Sequence, residues 1–130
     1  MIKAANEYIA YEGSSFTIEW YCDTRNRSPA LEYYNSLDND DRIKVLKLLK
    51  RMGDYGEIRD ITKFMNEGDK IYAFKPQPDR FLCFFYQGDK IIVTNAFRKK
   101  QQKLPPREKK KAVKIRNDYI KRDQQGDYYE

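Results

Sequence analysis

In KIYAFKPQPDRFLCFFYQGDKIIVTNAFRKK, residues 70–100, three β-branched and aromatic runs alternate with breakers: 71–75, 80–86 and 90–97. Each run predicts a strand. Pro76 and Pro78 make the first connection stiff and turn-like, because proline fixes φ and removes a donor. Gly88-Asp89 fits a two-residue type II′ turn, which makes the last two strands antiparallel neighbours. Both faces of 81–86 are apolar, as an inner strand between two layers requires.

Outward from this meander, 16–22 (FTIEWYC) alternates Phe16, Ile18, Trp20 and Cys22 against Thr17, Glu19 and Tyr21, predicting a strand with one face buried. Ser28-Pro29 reads as an N-cap with proline at the first helical position, and Leu31, Tyr34 and Leu37 recur at helical spacing. Asp38 and the acidic turn after it open a second helix with an apolar stripe of Val45, Leu48, Leu49 and Met52, to end at Gly53 or Gly56. Beyond the meander, Leu104-Pro105-Pro106-Arg107 opens a final helix with Ala112, Ile115 and Tyr119 on one face. The expected order is β-α-α-β-β-β-α. This is an α+β fold with a helical hairpin on a small, mainly antiparallel sheet and a C-terminal helix. Residues 16–122 form one domain on this reading, 1–15 are an extension without assigned structure, and 123–130 are a flexible tail.

The chain has 130 residues, a one-domain length. No run approaches the ~18 apolar residues that cross a bilayer, and the opening MIKAANEYIAYEG shows no apolar core of a secretory signal. A cytoplasmic protein without a membrane partner is expected. Cys22 and Cys83 sit in apolar runs and read as buried thiols. The sequence contains no histidine, which excludes Ser-His and Cys-His nucleophile pairs, histidine metal sites and two-histidine nuclease chemistry. No metal, cofactor or small-molecule ligand is expected. From Arg98 to Arg122, twelve basic residues face two acidic ones, a balance of +10 that leaves −4 for the rest of a chain of net charge +6. Such segregation points to a polyanionic partner.

Strand order gathers part of this charge. Lys75 closes one strand and Arg80 opens its antiparallel neighbour, and the next strand returns Arg98, Lys99 and Lys100 to the same end. Together these cations suit an RNA phosphate. Arg80 can hold two phosphate oxygens in its planar fork. A lysine among other cations has a depressed pKa and can serve as base or acid. Positive charge on a pentacovalent phosphorus is worth on the order of 3 kcal/mol per well-placed donor. Tyr86 and Phe97 are stacking candidates for bases. Plainer roles stand beside these: polar strand ends for Lys75 and Arg80, core packing for Tyr86 and Phe97, and a solvated helix face for Lys109, Lys110 and Lys111.

Tyr72-Ala73-Phe74-Lys75, Arg80, Phe97-Arg98-Lys99-Lys100, Gln102-Lys103-Leu104-Pro105 and Arg107-Glu108 resemble, in order, the motifs of the RelE/ParE toxin superfamily, in its phage-derived HigB-like branch. The likeness covers about residues 60–122. It implies the toxin of a type II toxin–antitoxin module: a metal-independent, ribosome-dependent mRNA endonuclease using 2′-OH attack on the adjacent phosphate. Its partners would be an antitoxin with a helix-turn-helix, the ribosome and mRNA. By position, Lys75, Arg80 and Lys99 would be catalytic. Lys63, Arg98, Lys100, Lys103, Arg107, Lys110 and Lys111 would hold RNA. Two departures stand out. Lysine replaces the family arginine at position 75, and Asn95-Ala96 replaces a frequent His-Gly. The alternatives are a non-enzymatic gyrase-inhibiting relative and a non-catalytic nucleic-acid-binding phage protein.

Overall fold

The structure, a computed structural model, describes residues 8–129. Its elements run β1 (Ile9–Glu12), β2 (Thr17–Trp20), α1 (Pro29–Ser36), α2 (Asn39–Tyr55), β3 (Phe64–Gly68), β4 (Ile71–Phe74), β5 (Asp79–Tyr86), β6 (Lys90–Arg98) and α3 (Pro106–Gln124). One six-stranded sheet has the order β1-β2-β6-β5-β4-β3, antiparallel throughout except for the parallel pair β2–β6. The α+β class and the helical hairpin on the sheet are as expected from sequence. Among the described residues, no helix is long and apolar enough to cross a membrane.

Capping follows the sequence signals. Ser28 Oγ accepts from the Leu31 amide at 3.3 Å, and Asp38 accepts from the Asp41 amide at 2.9 Å. Gly56, at φ 76°, ends α2 in the left-handed conformation. Gly53 stays inside the helix, where its carbonyl accepts from the Ser15 and Phe16 amides at 2.7 and 2.9 Å. That approach is so close that a Cβ on Gly13 would lie 2.2 Å from the Gly53 backbone.

Two strands escape the sequence reading. β1 lies within the unassigned 1–15 stretch, of which 1–7 fall outside the described residues. β3 is polar after Met65 and forms because β4 folds back on it through Gly68, Asp69 and Lys70, all at positive φ. The hairpin between β5 and β6 also differs from the expected type II′ turn. Tyr86 pairs with Lys90, so Gln87–Asp89 form the loop, left-handed at Gln87 and Gly88 (φ 52° and 77°).

The sheet separates two apolar layers. Ile18, Trp20, Phe81, Cys83, Ile91 and Val93 pack against the α1–α2 hairpin, while Tyr21, Ala73, Leu82, Phe84 and Ile92 pack against Ala112, Ile115 and Tyr119 of α3. β2 is therefore buried on both faces, not one. Its second face is covered by α3 and by residues that follow it. Tyr128 is 1% exposed and its hydroxyl accepts from the Cys22 amide at 2.8 Å. The Tyr129 hydroxyl donates to the buried Glu19 at 2.7 Å.

One irregularity positions the site. Phe81 pairs with Ala96 but Cys83 pairs with Val93, so β6 carries an extra residue at Thr94–Asn95. A bulge of this kind reverses the inward–outward alternation beyond it. After it, Asn95 and Phe97 share the α3 face with Ile92. Arg98 is sent to the opposite face, in register with Asp79.

Candidate active site

At the open end of β4 and β5 lies a cavity of about 290 Å³. Its walls include Glu67 of β3, Lys75 after β4, Arg80 of β5, Phe97 of β6, and Lys99, Lys100 and Lys103 from the segment leading to α3. The three residues expected to be catalytic thus meet in one recess, with Phe97 as an available ring face.

Arg80 is buried, 8% exposed, and has no carboxylate in ion-pair contact among the described residues. Its Nη1 donates to the Asp79 carbonyl at 2.9 Å and to Gln77 Oε1 at 3.4 Å. Nε and Nη2 have no protein acceptor among the described residues. Half of the guanidinium is anchored to backbone, and the rest is unengaged. Burial pulls the Arg80 pKa below its usual value, against the opposing charges of Glu67 and Asp79. A cation held desolvated without a partner has a pending anion as its natural complement.

Lys75 donates to the Ile61 carbonyl at 3.1 Å and contacts Met65 Sδ at 3.5 Å. Its ammonium pKa is lowered, first by burial, then by Arg80 and Lys99, with Glu67 acting in the opposite direction. A lysine so placed gives up its proton more readily than one in water. Glu67 is the residue that sequence reading missed, because β3 itself was missed. Its signal was the alternation of Met65 and Glu67 against Phe64 and Asn66, obscured by polarity.

Asn95, at the position of the family's frequent histidine, is fully buried. Its amide donates to Glu108 Oε1 at 3.0 Å and to the Glu108 carbonyl at 3.2 Å, tying β6 to the first turn of α3. This is a structural clamp at the back of the site.

Several expected contributors lie elsewhere. Arg98 faces α1, where its charge acts on Tyr33. Lys63 is exposed and reaches the site only through its carbonyl, which accepts from the Lys75 amide at 2.8 Å. Tyr86 does not line the cavity. It sits at the far end of β5, packed edge-on against Tyr119, with its hydroxyl donating to Asp123 at 2.6 Å and its pKa pushed up to about 12 chiefly by that bond. Arg107, Lys110 and Lys111 are exposed on α3, outside the cavity, with Lys114 and Lys121 continuing the same basic face.

A small α+β protein of RelE-like architecture, with a recessed cationic cavity beside a basic helix, is what this fold and site define. A family model described as phage derived protein Gp49-like (DUF891) matches residues 32–117, from α1 to most of α3, including every cavity residue named above. The chain belongs to this phage-derived Gp49-like family, a RelE/toxin-like one. No curated protein matches the chain.

Proposed function

We propose that this protein is a HigB-like toxin of a type II toxin–antitoxin module that cleaves mRNA on the ribosome. The observation that carries the reading is the convergence of Arg80, Lys75 and Lys99 on one recess, with Nη1 of Arg80 anchored to the Asp79 carbonyl and its Nε and Nη2 left without a protein acceptor among the described residues.

In the reaction, the ribose 2′-oxygen loses its proton and bonds to the adjacent phosphorus. The P–O5′ bond breaks, leaving a 2′,3′-cyclic phosphate and a 5′-hydroxyl. Arg80 grips two non-bridging oxygens and gains strength as charge builds on them. Lys75, whose proton is loosened by burial and by neighbouring cations, takes or returns the proton in transit. Lys99 adds charge to the phosphorane, and Phe97 stacks a flanking base. Glu67 offsets the mutual repulsion of the cations. The exposed α3 cations, with Lys100 and Lys103, hold ribosomal or messenger backbone by salt-sensitive contacts.

Induction of the chain in bacteria, followed by primer extension on a reporter mRNA, tests this directly. Growth arrest with discrete ribosome-dependent cuts is expected, and Arg80→Ala abolishes both while the protein stays folded. Undiminished arrest by Arg80→Ala, or supercoiling loss with intact mRNA, refutes the reading.

A further inference from the structure

Resting on the cleavage reading, we propose that Glu67 is the specificity-determining residue of the cavity and reads a guanine next to the scissile linkage. Glu67 stands at the opposite end of the recess from the cations. Met65 of β3 pairs with Ala73 of β4; Lys75 lies two residues beyond this pair in one direction and Glu67 two residues beyond it in the other. About 12 Å of strand thus separates the two charged positions. Glu67 is also the extra residue of a bulge, since Asn66 pairs with Tyr72 and Gly68 with Ile71. Bulges re-aim side chains. The turn that follows is pinned to α3 by the ion pair of Lys109 with Asp69 at 3.0 Å.

The neighbouring carboxylates are engaged, Asp69 by Lys109 and Glu108 by the Asn95 amide at 3.0 Å. The Glu67 carboxylate has no ion-pair or hydrogen-bond partner among the described residues, although its charge acts on both Lys75 and Arg80. A recess of about 290 Å³ with cations at one end and an unengaged carboxylate at the other orients a nucleotide phosphate first. A phosphate on Arg80, with its sugar toward Glu67, leaves the base over Met65 and Ala73 and beside Leu104 and Pro105, its outer edge at the carboxylate. Phe97, paired with Arg80 across β5 and β6, is left for the base on the other side of the linkage.

The chemistry of that edge selects the base. Guanine carries two adjacent donors there, N1–H and N2–H, which match the two oxygens of a carboxylate. Adenine, cytosine and uracil each present one donor beside an acceptor, so one carboxylate oxygen faces a lone pair. A buried polar group left facing the wrong partner is the strongest basis for rejecting a competitor.

Reporter mRNAs that differ only in the nucleotides flanking one cleaved linkage, translated with the full chain present and read by primer extension, test this. The wild type is expected to cut sites with guanine on one fixed side about 10-fold or more faster than sites with any other base there. Glu67→Gln replaces one acceptor oxygen with a donor and is expected to move the preference to adenine, whose N6–H and N1 match a carboxamide; Glu67→Met is expected to remove it. Unchanged thermal unfolding confirms the folding of both variants, and a rate change shared by all sites cancels in the ratio. Equal cleavage of all four bases by the wild type, or guanine preference undisturbed in both variants, overturns the role of Glu67 while leaving the nuclease intact. Loss of cleavage at every site in Glu67→Gln assigns the carboxylate to proton transfer and overturns it as well. A wild-type chain that cuts no reporter ends the proposed cleavage itself, and this proposal with it.

Discussion

The Tyr33 hydroxyl, carried by α1, donates to Oδ1 of Asp79, and the Asp79 carbonyl in turn accepts from the Arg80 guanidinium at 2.9 Å. Asp79 is 1% exposed, and its Oδ2 has no hydrogen-bond partner among the described residues. The helical hairpin on one face of the sheet thereby fixes the strand end that presents Arg80 on the other. Tyr33→Phe leaves the whole buried carboxylate without a donor and is expected to cost about 1–3 kcal/mol of stability. Urea denaturation measures this. A midpoint equal to that of the wild type would show that the hydroxyl contributes nothing to the fold.

Arg80 is held against its own preference for water. Arg80→Met removes a largely buried charge that has no ion-pair partner among the described residues and keeps much of the side-chain volume. It is expected to raise stability by about 0.5–2 kcal/mol while lowering cleavage on the order of 10²–10³-fold or more. Thermal unfolding and single-turnover cleavage read the two effects. A loss of stability comparable to a core truncation would mean that the guanidinium serves the fold.

The pH dependence of cleavage can locate Lys75. Its ammonium pKa is below 10.5 through burial, Arg80 and Lys99, against the pull of Glu67. Lys99→Met removes a like charge and should move the Lys75-dependent limb of the pH–rate profile upward. Glu67→Gln removes an opposing charge and should move it downward. A profile unmoved by either substitution would assign that limb to another group.

The tyrosines set the alkaline limit of the fold. Tyr21, Tyr33, Tyr119, Tyr128 and Tyr129 all have pKa values raised above 10.0, with burial the foremost cause. Below the unfolded value, both states keep these protons and stability is full. As pH rises past it, the unfolded chain ionises first. Each such tyrosine then removes about 1.4 kcal/mol per pH unit. Denaturation midpoints should fall steeply above about pH 10, and Tyr128→Phe should soften the fall. A flat profile would place these hydroxyls in solvent.

Asn95→Ala strips the clamp between β6 and α3. The Thr94 hydroxyl and the Glu108 carboxylate lose partners, and a loss of about 1–3 kcal/mol is expected. Faster hydrogen exchange in the first turn of α3 would accompany it. Unchanged exchange there would detach Asn95 from the helix start.

Much of this molecule was legible from short-range chemistry. Ser28-Pro29, Asp38 and Gly56 act on backbone groups within one turn of themselves, so the helical hairpin could be read from residue order. The meander was legible because apolar runs separated by prolines and Gly88 leave few other pairings. Topology then carries Lys75 and Arg80 to one edge, whatever the rest of the chain does. What lay beyond reach depends on contacts distant in sequence. β3 is polar and becomes a strand only because β4 returns beside it. Glu19 and Tyr21 are buried only because Tyr128 and Tyr129 come back across β2. Above all, the extra residue at Thr94–Asn95 reverses the alternation of β6, turning Phe97 and Lys99 into the cavity and Arg98 away from it. Strand periodicity counts residues and does not see a bulge. The inventory and approximate place of the cations were therefore determined by sequence alone, whereas which of them face the cavity was decided by the register between β5 and β6, a property of two strands together and of neither alone.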